Sequence, residues 1–198
     1  MLYAFPDQHC LEKGNTIYCG NFFRGGGFQM SPKENLIKVY EYALNQEQTG
    51  MSFFKTSLSR MGIGAAVTAF KRLIQEEEKH ILFISNIIEN LRKGGELNLA
   101  EVQKFVLEPT NYFDKRAKSE FLEQCVEGSM VPDVTVFNTA WLIERDLSEF
   151  YSNAASRTEG SASEAFAMLA RWEKAHERFF KEYRDKLSAV YATMPWGG

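Results

Sequence analysis

Four glutamates and two histidines in this chain sit at spacings that would bind metal. Glu77 with His80, and Glu173 with His176, are each a Glu-x-x-His pair. Side chains three residues apart on a helix leave from one face, so each pair can reach one ion. Each pair follows a further glutamate, Glu47 in the first half and Glu144 in the second, at separations of 30 and 29 residues. Two of the chain's three histidines occupy these places, so the repeat is not a product of abundant histidine. One Glu-x-x-His alone, as in the charged run from Gln75 to His80, reads as a solvated helix face. Two copies with two matching glutamates do not. Four carboxylates with two imidazoles in an apolar interior are costly unless paired or bound to metal. Two histidines cannot neutralise four negative charges, whereas two divalent cations can. Oxygen with imidazole nitrogen suits iron or manganese better than a thiolate-loving metal.

The helices that would carry these residues are legible from periodicity. Leu36, Tyr40, Ala43, Glu47, Gly50, Phe54 and Leu58 form the first apolar stripe. Ala66, Phe70, Leu73, Glu77, His80, Ile84, Ile87 and Leu91 form the second. The third runs Phe137, Ala140, Glu144, Leu147, Tyr151, Ala154, and the fourth Ala162, Phe166, Leu169, Glu173, His176, Phe180, Tyr183, Leu187. All keep the three-and-four spacing of a buried bundle seam, and each is interrupted near its middle by a glutamate.

Ser31, Pro32 and Glu34 predict the first helix start, and Gly62-Ile63-Gly64 its break near Arg60. The second helix is expected from about Ala65 to Lys93, ending at Gly94-Gly95. Pro132-Asp133 announces the third, which runs to about Arg157. Ser161 with Glu164 reads as a capping box for the fourth, which reaches about Tyr191. The midpoint of Glu47 and Glu77 is residue 62, and that of Glu144 and Glu173 lies between Thr158 and Glu159. Both midpoints are chain breaks, so each antiparallel hairpin sets its glutamates level, roughly 20 Å from its turn.

The expected fold is therefore all-α: an antiparallel four-helix bundle of the ferritin-like kind, two helical hairpins joined by a long crossover. Residues 31–198 form the bundle, with the crossover at 94–131, and residues 1–30, rich in glycine and aromatics, form an irregular or short-stranded arm. His9, Cys10 and Cys19 match no zinc spacing, and Cys125 reads as a plain buried thiol. A net charge of −3 and a pI near 5.7 speak against nucleic acid or an anionic membrane as partner. No apolar run has membrane-span length and no secretory pattern opens the sequence, so a cytoplasmic location is expected.

The stretch ERDLSEFY from Glu144 to Tyr151, followed by EKAH from Glu173 to His176, resembles the rubrerythrin branch of the ferritin-like superfamily. Glu47 to Phe54 and Glu77 to His80 repeat it less closely, and the resemblance covers roughly residues 33–93 and 132–190. It implies two iron ions, with manganese or a mixed pair as alternatives, held by Glu47, Glu77, His80, Glu144, Glu173 and His176, at least two glutamates bridging. It implies Tyr151 beside a ligand carboxylate, and an oxidoreductase that reduces hydrogen peroxide or dioxygen at the non-haem di-iron centre. A homodimer is the family expectation. Leu147 stands where rubrerythrins proper carry an additional glutamate, and Phe54 where a tyrosine is expected. Three cysteines cannot make a four-cysteine rubredoxin-like module, so the implied electron donor is a separate rubredoxin-type protein. The six-residue set without the extra glutamate also resembles the bacterioferritin centre, which implies a ferroxidase or iron-handling protein. An oxygenase, and a metal-stabilised bundle with no catalytic role, are the other readings.

Overall fold

A computed structural model describes residues 11–12, 17–18, 31–60, 65–98 and 134–193. Chain contacts divide the protein into Met1–Ser31 and Pro32–Gly198. Within the first unit, β1 (Leu11–Glu12) pairs antiparallel with β2 (Ile17–Tyr18), Leu11 facing Tyr18 and Glu12 facing Ile17. His9, Cys10, Cys19 and Cys125, and the crossover beyond Asn98, lie outside the described residues.

The second unit contains four long helices among the described residues: α1 (Pro32–Arg60), α2 (Ala65–Arg92), α3 (Val134–Ser156) and α4 (Gly160–Thr193). The fold is the ferritin-like bundle of two helical hairpins. Pro32 opens α1 with its fixed φ, Ser31 standing at the cap position and Glu34 in the first turn. Gly94 ends α2 at φ 88, which L side chains rarely adopt. Its amide donates to the Leu91 carbonyl at 3.2 Å, and the Gly95 amide reaches back to the Asn90 carbonyl at 3.0 Å. Together these form a Schellman stop. Thr158 Oγ1 donates to the Ala154 carbonyl at 2.8 Å and closes the last turn of α3. The fourth helix differs in detail from its expected start. Gly160, at φ 57, turns the chain directly into α4, so Ser161 lies inside the first turn instead of capping it.

Polar contacts fix the directions. Arg92 near the end of α2 meets Glu41 near the start of α1 at 2.6 Å, and Lys33 Nζ donates to the Gly95 carbonyl at 2.9 Å. Hence α1 and α2 are antiparallel. Arg184 late in α4 donates to Asn138 early in α3 at 3.5 Å, while Ser163 Oγ meets the Ala155 carbonyl at 2.8 Å. So α3 and α4 are antiparallel too. Across hairpins, Tyr40 of α1 stacks on Phe166 of α4 with centroids 4.4 Å apart, and Phe70 of α2 meets Phe137 of α3 edge-on at 5.4 Å. Gly50 lets α1 approach α3 closely: a Cβ there would stand 3.2 Å from Ile143.

Most residues of the seams predicted from periodicity are buried, Leu36 and Ala154 only partly so, with the drift expected of 3.6-residue turns near the end of α1. There Ser57 is buried and Leu58 only partly so. Apolar side chains form two clusters. One is built around Tyr40, Ile84, Tyr151, Phe166 and Leu169, the other around Phe54, Phe70, Leu73, Phe137, Phe180 and Tyr183. Each fully buried Phe or Leu contributes on the order of 1.5–3 kcal/mol. That is the source from which the bundle can hold charged groups between its two greasy ends.

Candidate metal centre

Between the clusters lie Glu47, Glu77, His80, Glu144, Glu173 and His176, none more than 1 % exposed. Their sequence positions already place them at one height. The helix directions now aim them at one another. His80 Nδ1 stands 2.7 Å from Glu173 Oε1 and 3.4 Å from Glu77 Oε2. His176 Nδ1 stands 3.1 Å from Glu77 Oε1 and 3.4 Å from both Glu173 Oε2 and Glu144 Oε2. Glu77 and Glu173 thus each turn one oxygen to each histidine. Two overlapping groups result, Glu47 with Glu77, His80 and Glu173, and Glu144 with Glu77, Glu173 and His176. Within each group the potential ligand atoms lie within 4.8 Å of one another.

Close approach is not matched by hydrogen bonding. Glu47 Oε2, both oxygens of Glu144 and of Glu173, and both ring nitrogens of His80 are buried without a well-aligned hydrogen-bond partner among the described residues. Buried polar atoms in native proteins are satisfied in the great majority of cases. Orphaned oxygens and a ring nitrogen aimed at a common centre are what two divalent ions would satisfy. The donor set fits the group, and the four carboxylate charges balance two such ions.

The electrostatics of the protein atoms alone show the same stress. Burial, then the charges of Glu173 and Glu77, push the Glu47 carboxyl well above its usual range, against a hydrogen bond from Tyr151. Burial and the nearby Glu77 charge push Glu144 up likewise. For Glu77 burial works the same way, but His80 and His176 outweigh it and hold the carboxylate well below its usual range. Glu173 is also held down, the two histidines prevailing over burial and the Glu77 charge. Burial opposes charge on His80, yet the charges of Glu173 and Glu77 raise it to about 10. His176 is raised as well, its contacts to Glu144, Glu173, Glu76 and Glu77 prevailing over burial.

A family model, Rubrerythrin, matches residues 38–184, a span that includes all six residues. The chain belongs to the rubrerythrin family. Its bundle is the ferritin-like di-iron carboxylate domain, a fold that implies a metal centre, and the buried Glu/His cluster groups side chains that could hold one. No curated protein and no solved structure matches the chain.

Around the rubrerythrin-type centre, Tyr151 is fully buried and its hydroxyl donates to Glu47 Oε1, a link from α3 to α1. Phe54, at the equivalent place in the first repeat, stacks on Phe180 with centroids 6.2 Å apart and offers no hydroxyl. Leu147 packs in an apolar cluster where rubrerythrins proper carry the extra carboxylate. Two neighbours were not singled out by their spacing. Glu76, in a run that reads as solvated from sequence, is fully buried, its Oε2 3.1 Å from His176 Nε2. Arg72 Nε donates to its other oxygen at 3.2 Å. Trp172 lies flat on His80, with centroids 4.9 Å apart and planes 12° apart. Glu76 and Trp172 each immediately precede a Glu-x-x-His glutamate. That shared position, about 100° round the helix from the seam, was the available signal.

Proposed function

We propose that the chain is a non-haem di-iron oxidoreductase that reduces hydrogen peroxide or dioxygen, with electrons from a separate rubredoxin-type donor. One observation supports the reading: Glu77 and Glu173 each present one oxygen to each histidine, so both carboxylates could be shared between two ions. Glu47 and His80 would complete one ion's shell, Glu144 and His176 the other's. Two ferrous ions held there would supply the two electrons, and solvent the two protons, that reduce hydrogen peroxide to two waters. The chain's own contribution is position and enclosure. Tyr151 fixes Glu47 by its hydroxyl, and Phe54, Phe70, Phe137 and Phe180 close one end against water. Tyr40 and Phe166 close the other. Manganese or a mixed pair would suit the same oxygen and nitrogen donors. A cytoplasmic homodimer is the setting this reading proposes, and no helix among the described residues is long and apolar enough to cross a membrane.

A second reading has its own support. Leu147 leaves the centre with six ligands, the set of a ferroxidase, in which ferrous ion is itself the substrate. A metal-stabilised bundle without turnover is the third.

Anaerobic ferrous titration followed by separate mixing with peroxide and with air separates them. Two irons per chain, oxidised much faster by peroxide, support the reductase. Rapid oxidation by air with continued turnover of added ferrous ion supports the ferroxidase. Two irons that neither oxidant reaches leave the structural role. Fewer than two ions of iron, manganese or zinc would sink the metal-centre reading altogether.

A further inference from the structure

We infer that the two metal positions are unequal: Glu76 makes the Glu144/His176 position the tighter one, filled first, while the Glu47/His80 position is the exchangeable one. The inference rests on the two-metal reading above, and it concerns how this chain departs from its own internal symmetry.

The four residues that end the two positions differ in what stands behind them. A metal on His176 Nδ1 leaves the ring proton on Nε2, which then donates to Glu76 Oε2 at 3.1 Å. A carboxylate accepting that proton fixes the ring and makes its other nitrogen a stronger donor. Arg72, partly exposed, holds Glu76 at 3.2 Å and balances its charge. On the other side, His80 Nε2 is buried with no hydrogen-bond acceptor among the described residues, and the ring stacks on the faces of Trp172 and His176 instead. The imidazole ligands are therefore unequal.

The terminal carboxylates differ in the same sense. Glu47 gives one oxygen to the Tyr151 hydroxyl, which draws electron density from the group. Both oxygens of Glu144 lack a hydrogen-bond partner among the described residues, His176 Nδ1 standing at 3.4 Å, and the phenyl ring of Phe54 occupies the place equivalent to Tyr151. One position therefore combines a carboxylate-backed imidazole with an undiluted carboxylate. The other combines an unbacked imidazole with a carboxylate already shared. Glu77 and Glu173 serve both and do not discriminate.

The test is a titration of the metal-free protein with manganous chloride, free ion being counted by its six-line electron paramagnetic resonance spectrum. Two unequal steps are expected, and at one equivalent the bound signal should be that of single ions, not of coupled pairs. Glu76→Gln keeps the shape and removes the charge. It should weaken the first step by roughly 10–100-fold. Tyr151→Phe should alter the second step and leave the first unchanged. The melting temperature of each metal-free variant checks folding, and a Glu76 that only stabilised the bundle would lower that temperature without selecting a step. A single step for both ions in the parent chain overturns the inference, as does a Glu76→Gln variant that weakens only the second step. If Glu76→Gln fails to fold, the parent isotherm and Tyr151→Phe still decide. Binding of fewer than two ions by the parent is a different failure, that of the two-metal reading itself.

Discussion

Filling the centre with two divalent ions should expel about four protons at pH 7. The number follows from the charge states the metal-free cluster must adopt. Glu47 and Glu144 are pushed well above the usual carboxylate range, which favours their protonated forms. Glu77 and Glu173 are held below it and stay ionised, while His80, at about 10, and His176 are both charged. Two negative and two positive groups leave the empty cluster neutral. Ligation needs all four carboxylates ionised and both imidazoles neutral at their ligating nitrogens, so four protons leave as four positive charges enter. Removing the His80 proton at pH 7 alone costs about 4 kcal/mol, at about 1.36 kcal/mol for each of three pH units. The combined affinity for two ions should therefore rise with pH by about four logarithmic units per pH unit near neutrality. The slope should fall by about one unit once pH passes about 10 and His80 is already neutral. Calorimetric titration in buffers of different ionisation enthalpy counts the protons directly. Release of one proton or fewer would refute the argument, because the empty cluster would then carry a net negative charge or stand open to water.

The same groups govern the stability of the metal-free chain. Raised histidines and the raised Glu47 and Glu144 mean that the folded chain binds more protons than the unfolded one at neutral pH. The melting temperature should accordingly fall as pH rises from about 6.5 toward 10, and bound metal should remove that slope. On the acid side Glu77 and Glu173 act in the opposite sense, their contribution being lost as pH falls below about 4.5. Glu144→Gln should leave the metal-free melting temperature unchanged or slightly higher, since the carboxyl is already neutral there, yet reduce metal content to about one ion per chain by elemental analysis. Loss of melting temperature without loss of metal would contradict its placement. Phe180→Ala removes a ring that meets Phe54, Phe70 and Phe179 and should cost about 3–5 kcal/mol in urea unfolding, with or without metal.

Much of this centre is legible in the residue order because a helix converts spacing into direction. Glu77 and His80 must share a face, and a glutamate amid Phe70, Leu73 and Ile84 must point inward, since that stripe has nowhere else to go. The level pairing of Glu47 with Glu77 follows from the turn midpoint, and Gly94 ends its helix for a local reason, its positive φ. What lies beside the seam is different. Glu76 sits in a run that is solvated by every local measure, and only the presence of α4 on that flank buries it against His176. Trp172 reads as a core aromatic anywhere on that helix face; its stacking on His80 depends on how α2 and α4 cross. Periodicity fixes which way a side chain points relative to its own helix. Which neighbour it meets is set by the packing of one hairpin on the other, and that is a property of the whole bundle. So the six residues and the helices that carry them are decided by sequence spacing, whereas the turn of Glu77 and Glu173 toward both histidines, and the contacts of Glu76 with His176 and of Tyr151 with Glu47, are decided by tertiary packing.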